Sequence, residues 1–102
     1  MSIATDRSTL ARLQKDIADL RKKDAAEAKN EVDANAKANR AVQAAAKASS
    51  ASPAQTKLRE AERYQNQAAS AAKKRADYAG QMARKMQERS RVEDRLSKAE
   101  AA

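Results

Sequence analysis

Only one short stretch of this chain carries the residues that normally break a helix. The 102-residue sequence contains a single proline, Pro53, and a single glycine, Gly80. Pro53 follows the serine-rich run ASSAS at residues 48–52, and these residue types favour turns. Ala, Glu, Lys, Leu and Arg supply more than half of the sequence, a composition typical of long helices. The chain is therefore restricted to long helices joined once, which makes it all-α.

The residues around Pro53 predict where the two helices end and begin. Ser52 is placed as an N-cap, Pro53 as the first helical residue, and Gln55 completes a capping box. The residue before a proline avoids the α region, so the first helix should end near Ser49. We expect one module over residues 1–102, with helix 1 at about 8–48, a turn at 49–52 and helix 2 at about 53–99. A turn this short predicts an antiparallel two-helix hairpin; the alternative is one continuous helix kinked at Pro53.

Large apolar side chains are sparse, and their spacing predicts a thin coiled-coil seam. Of the 42 hydrophobic residues, 27 are alanine. Leu10, Leu13, Ile17 and Leu20 step by three and four residues, as the core positions of a heptad do. Beyond Leu20 the larger residues indicate a one-residue phase slip. The predicted interface seam consists of Leu10, Leu13, Ile17, Leu20, Val32, Val42, Leu58, Met82, Met86, Val92 and Leu96.

Folding the chain at residues 50–51 pairs positions whose numbers add up to about 101. Leu20 then faces Met82 and Val42 faces Leu58. Alanine buries little area, so the hairpin alone is expected to be marginally stable. We expect further helices, from other copies or from another domain, to complete the core, and self-association would give a four-helix bundle. The shifted seam also contains Asn35 and Asn39, which act as a register device or lie in a loosely packed, partly solvated half.

The net charge of +8 is concentrated in the middle of the chain. Residues 34–76 hold nine basic side chains against two acidic ones, Glu60 and Glu62. Such a basic tip is a solvated face, or binds an acidic protein or neighbouring subunit, or binds nucleic acid. Tyr64 and Tyr78 are the only stacking groups available to nucleic acid. The basic tip consists of Lys37, Arg40, Lys47, Lys57, Arg59, Arg63, Lys73, Lys74 and Arg75.

Several classes of function are disfavoured by what the sequence lacks. With no His and no Cys, it offers no thiolate or imidazole metal site. It has no Gly-rich phosphate loop and no nucleophile beside a base, so we expect no catalytic residues, no cofactor and no enzymatic activity. No apolar run is long enough to span a membrane and none resembles a signal peptide. We expect a cytoplasmic protein without a membrane partner.

Three stretches resemble a known family: LARLQKDIADLRKKDAAEAK at residues 10–29, SSASPAQTKLREAER at 49–63 and KKRAD at 73–77. They are similar to the N-terminal coiled-coil segment that precedes the Toll/interleukin-1 receptor (TIR) domain in bacterial TIR proteins. The resemblance covers residues 8–98. It implies a self-association module that brings NAD-hydrolysing TIR domains together. The family's catalytic Glu has no counterpart here, so the chain is either a fragment or a relative that kept only the coiled coil.

Taken together, these observations predict a non-catalytic structural module that mediates self-association or scaffolding. The expected partner is a second copy of the chain or another helical protein. The alternative is a small basic helical protein that binds nucleic acid or an acidic protein through residues 34–76.

Overall fold

The structure, a computed structural model, describes residues 2–102 and consists of two helices. Helix α1 runs over Ile3–Ala46 and helix α2 over Ala51–Ala101. An ion pair joins Arg7 near the start of α1 to Glu100 near the end of α2, so the helices run antiparallel. The predicted all-α, two-helix hairpin is confirmed.

The turn between the helices lies slightly earlier than the sequence predicts. The amide of Ala54 donates a hydrogen bond to the carbonyl of Ser50 at 3.3 Å, so Ser50 and not Ser52 is the N-cap of α2. Pro53 consequently lies inside the first turn, where its missing N–H has no intrahelical partner to lose. The Ser52 carbonyl instead accepts a bond from the hydroxyl of Thr56 at 3.1 Å. The predicted Ser52–Gln55 capping box is therefore wrong.

Helix α1 begins at Ile3, five residues before the predicted start. The hydroxyl of Ser2 accepts a hydrogen bond from the Thr5 amide at 3.1 Å, which is an N-cap interaction. Asp6 follows in the first turn, where its negative charge complements the amino end of the helix. These three polar residues start the helix ahead of the apolar pattern that begins at Leu10.

The chain divides into two compact units, and both helices contribute to each. Unit 1 combines the residues up to Asp24 with those from Ala76 onward, and unit 2 comprises Ala25–Arg75. The single module over residues 1–102 stays a prediction.

Unit 1 holds the large apolar residues of the hairpin. Leu13, Val92 and Leu96 form a buried cluster, and the half-buried Leu10 packs against it. Ion pairs from Asp16 to Lys85 and from Asp6 to Arg95 flank this core, at 3.2 Å each. In both pairs the residue numbers add up to 101, the register that the sequence predicts. Ile17 and Leu20 are also buried in this unit.

Unit 2 is packed almost entirely with alanine. Its buried hydrophobic residues are Ala34, Ala38, Ala41, Ala61, Ala68 and Ala71. A methyl group removes little apolar surface from water, at about 25 cal/mol per Å² buried. Unit 2 therefore gains less hydrophobic stabilisation than unit 1.

The phase slip predicted after Leu20 is wrong, because burial along α1 continues in an unbroken heptad. The buried or half-buried positions continue from Leu20 in steps of four and three residues, through Asp24, Glu27, Glu31, Ala34, Ala38, Ala41 and Ala45. Val32 and Val42, placed in the seam by the sequence, are exposed, as is Leu58 of α2. Asn35 and Asn39 are exposed as well, so they do not set the register from within the seam.

Helix α2 shows the same unbroken period. Buried or half-buried residues recur along it in steps of three and four, at Ala61, Tyr64, Ala68, Ala71, Arg75, Tyr78, Met82, Lys85, Arg89, Val92 and Leu96. We label heptad positions a to g, with Leu10 and Ala61 at a and Leu13 and Tyr64 at d. Met86, which the sequence assigns to the seam, occupies position e and is half-buried.

Candidate interaction faces

Two lateral faces of unit 2 follow from the heptad positions. A cleft of about 350 Å³ is lined from α1 by Asn30 and Lys37 and from α2 by Gln67 and Lys74, all at position g. The g positions of both helices therefore lie on one side of unit 2. Positions e and b must then lie on the other side.

The g side carries a cluster of basic residues. A second cleft has a volume of about 400 Å³. Its lining residues include Lys37, Arg40, Ala41, Lys57, Glu60 and Tyr64. Next to it, Arg59 and Arg63 line a smaller cleft that shares Glu60. We call the five basic residues the basic face: Lys37, Arg40, Lys57, Arg59 and Arg63.

Two cations of the basic face lie against the ring of Tyr64. The ammonium of Lys37 and the guanidinium of Arg63 each lie 5.7 Å from the centre of its ring. A cation at this distance is attracted to the ring by about 0.5–1 kcal/mol when exposed. Lys57 is the member that has an ion pair, 3.4 Å from Glu60 on the same helix.

The basic tip of the sequence does not form one surface. Lys74 lies 3.9 Å from Glu27, and Arg75 lies 3.6 Å from Glu31. Both carboxylates come from the first third of the chain, which balances to zero when charges are counted along the sequence. Folding therefore offsets part of the positive charge predicted for residues 34–76. The exposed Lys47 lies beyond α1 in the turn, and the exposed Lys73 at position f lies on the outer side of α2.

The opposite side of unit 2 is largely uncharged. Val32, Val42 and Leu58 lie there with exposed fractions of 66%, 42% and 51%. They account for three of the four exposed large hydrophobic residues among residues 2–102. The fourth, Ile3, belongs to unit 1.

We call this side the uncharged face and define it by positions b and e of unit 2. Glu62 is the single charged residue at these positions. From α1 the face comprises Ala25, Ala28, Val32, Asn35, Asn39, Val42 and Ala46. From α2 it comprises Gln55, Leu58, Glu62, Gln65, Ala69 and Ala72.

The described residues contain no cluster of three or more acidic side chains that would hold a metal ion. Neither helix, over residues 2–102, combines the length and the apolar character needed to cross a bilayer.

Comparison with protein-family models finds no match, and no curated protein or solved structure is significantly similar to the chain. The resemblance to the coiled-coil segment of TIR proteins therefore stays a hypothesis.

Sequence reasoning missed two features of these faces. The sequence prediction assigned Val32 and Val42 to the seam, whereas both are exposed and belong to a surface. It also did not assign Glu27 and Glu31 to the seam, whereas both occupy seam positions and are half-buried. The available signal was the strict heptad count from Leu13, which reaches both glutamates without a slip.

Proposed function

We propose that the chain is a non-catalytic self-association module. Two hairpins pack through their uncharged faces and form a four-helix bundle of coiled-coil type, which brings together any domain or chain attached to them. The observation that carries the proposal is that Val32, Val42 and Leu58 lie exposed on the same face of unit 2. Large apolar residues gathered on one exposed face mark interaction sites.

Charge favours a second copy as the occupant of this face. Residues 25–75 contain ten basic and five acidic side chains, so two copies of unit 2 repel each other overall. Pairing through the basic face would place like charges opposite one another, which costs several kcal/mol. A two-fold dimer matches the same patch on both copies, and the uncharged face meets this condition without repulsion between arginines or lysines.

The size of the face also suits a hairpin of the same length. Residues 25–46 of α1 span about 30 Å at about 1.5 Å per residue. Two helices packed about 8–10 Å apart, with their side chains, present a surface about 20 Å wide. The resulting area of roughly 600 Å² in projection approaches the ~800 Å² per partner of a stable interface.

Self-association would also complete a weak core. The alanine seam of unit 2 buries few carbons, whereas covering Val32, Val42 and Leu58 adds whole side chains. Fully burying a Val or Leu side chain contributes about 1.5–3 kcal/mol. The resemblance of residues 8–98 to the TIR-associated coiled coil supports the same function, with no enzymatic role for this chain.

Sedimentation equilibrium at micromolar concentrations and near-physiological salt tests the proposal. We expect a mass at least twice that of the 11.1 kDa chain. The triple variant Val32→Gln, Val42→Gln, Leu58→Gln should sediment as a monomer with unchanged helicity by circular dichroism. The control Ile3→Gln alters the exposed large hydrophobic residue outside the face and should keep the parent mass.

A monomeric parent chain at tens of micromolar would overturn the proposal. An oligomer that survives in the triple variant would also overturn it, because association would then use another surface.

A further inference from the structure

The basic face suggests a second binding function on the side of unit 2 opposite the uncharged face. Its five basic side chains surround a single acidic one, Glu60, along two adjoining clefts. Arg40 and Arg59 have no ion pair within residues 2–102, so their charges are not offset by the fold. We infer that this face binds the phosphate backbone of double-stranded nucleic acid.

Charge complementarity identifies a phosphate backbone as the partner. Duplex DNA carries one negative charge per about 1.7 Å of its axis, and Lys and Arg side chains bind it by displacing condensed counterions. The basic face has a net charge of +4 when Glu60 is included. Its Lys37 ammonium is held beside the Tyr64 ring at 5.7 Å, so that cation is already positioned in the free protein.

The distribution of apolar residues argues for nucleic acid over an acidic protein. Protein interfaces have an apolar core, whereas interfaces with DNA are more polar and strongly positive. On the side of the basic face the described residues include no exposed large hydrophobic side chain. Val32, Val42 and Leu58 all lie on the other side of unit 2.

The state of Tyr64 argues for a double strand over a single strand. Binding of single strands relies on aromatic rings that stack on unpaired bases. Tyr64 is half-buried, and two cations already lie against its ring. The basic face therefore has cations that can contact a phosphate backbone. It has no free aromatic ring on which a base could stack.

Fluorescence anisotropy with a 20-base-pair DNA duplex of arbitrary sequence tests the inference through its salt dependence. Five phosphate contacts predict a slope of about −4.5 in log affinity against log salt, from roughly −0.9 per contact. Affinity should then fall roughly 500-fold between about 50 and 200 mM salt.

Two variants with equal charge separate this site from the overall charge of the chain. Lys37→Gln, Arg40→Gln, Arg59→Gln removes three positive charges from the basic face. Lys15→Gln, Lys22→Gln, Lys29→Gln removes three from exposed position f of α1, on its outer side. We expect the first variant to reduce the slope to about −1.8 and the second to leave it near about −4.5.

Several results would overturn the inference. No duplex binding at about 50 mM salt excludes it, because electrostatic binding is strongest there. An equal loss in both triple variants assigns binding to net charge and not to the basic face. Tighter binding of a single-stranded 20-mer, or of a poly-glutamate peptide, identifies a different class of partner.

The test is independent of self-association. The variant with Val32, Val42 and Leu58 changed to glutamine leaves the basic face intact and should keep the same salt slope per hairpin. A monomeric parent chain that still binds duplex DNA would remove the proposed self-association and leave this inference standing.

Discussion

Arg95 donates a hydrogen bond to the carboxylate of Asp6 at 3.2 Å, which joins α2 to the first turn of α1. The two side chains differ sharply in exposure, 6% for Asp6 and 45% for Arg95. The carboxylate has therefore lost its hydration, while the guanidinium has kept part of its own. Removing Arg95 should therefore lower the free energy of unfolding more than removing Asp6.

The first prediction concerns this asymmetry. Arg95→Met leaves a buried carboxylate without its cation and should lower the free energy of unfolding by about 3 kcal/mol. Asp6→Ala leaves a partly solvated arginine and should cost about 1–2 kcal/mol. Urea denaturation followed by circular dichroism measures both, at one fixed protein concentration because association shifts apparent stability.

Arg12→Met is the matched control for Arg95→Met. Arg12 lies 3.9 Å from Glu88, and both side chains are at least half exposed. Such a surface ion pair contributes at most about 1 kcal/mol to the free energy of unfolding. Equal losses from Arg12→Met and Arg95→Met would show that the burial of Asp6 has no energetic consequence.

The second prediction tests the unbroken heptad with two neighbouring residues. Ala38 lies in the seam with 2% of its surface exposed, and the next residue, Asn39, is exposed. Ala38→Gln forces a long polar side chain between closely packed helices and should destabilise by about 2 kcal/mol or more. Asn39→Gln should change stability by less than about 0.5 kcal/mol.

Both variants introduce glutamine, and helix propensity accounts for only about 0.5 kcal/mol of the expected difference, because Ala→Gln loses and Asn→Gln gains a few tenths of a kcal/mol. Thermal melts at matched concentration compare them directly. The phase slip inferred from the sequence places Asn39 in the seam, and a larger effect at Asn39 than at Ala38 would restore it.

This pair of residues also shows how far the sequence determines the fold. The single turn, the antiparallel pairing and the seam from Leu10 to Leu20 were predictable, because Pro53 is the sole strong break and the leucines are unambiguous. Beyond Leu20 the seam residues are mostly alanine, and alanine also occupies outward positions of both helices. Hydrophobicity alone does not distinguish these alanines, so the larger Val32 and Val42 suggested the wrong face.

The charges of the candidate faces were only partly predictable for a different reason. Counting along the chain identified an excess of positive charge in residues 34–76. It did not show that Glu27 and Glu31 from α1 would meet Lys74 and Arg75 of α2. These pairings depend on the register between the helices, which was predictable from the sequence only near Leu10 to Leu20.

The third prediction concerns Glu27, a carboxylate that lies at a seam position of unit 2 and is partly buried there. The side chain of Glu27 is 17% exposed at position d, and its partner Lys74 is 58% exposed at a distance of 3.9 Å. This long ion pair offsets little of the desolvation of Glu27. Glu27→Leu should therefore raise stability by about 1 kcal/mol, and Lys74 remains solvated.

For a domain of this size, about 1 kcal/mol corresponds to a rise of about 4–8 °C in Tm. Glu93→Leu is the matched control, since Glu93 is half exposed and pairs with Arg89 on the same helix. It should alter Tm by less than about 3 °C. A fall in Tm for Glu27→Leu would indicate that the ion pair with Lys74 stabilises unit 2.

The fourth prediction concerns Gly80, which lies in the middle of α2. Its backbone is helical without a positive φ, so the chain makes no use of the conformational freedom of glycine here. A Cβ at this position would meet only the Arg84 guanidinium, at an ordinary contact distance of 3.9 Å. Gly80→Ala should therefore stabilise the protein by about 1 kcal/mol, mainly by restricting the unfolded chain.

Gly80→Ala should leave the sedimentation mass and the duplex affinity unchanged, because Gly80 belongs to neither the uncharged face nor the basic face. Ala79→Gly, at the neighbouring exposed position, is the reciprocal control and should destabilise by a similar amount. If Gly80→Ala lowered Tm while Ala79→Gly behaved as expected, the glycine would have a role beyond helix propensity, such as a close approach by another helix.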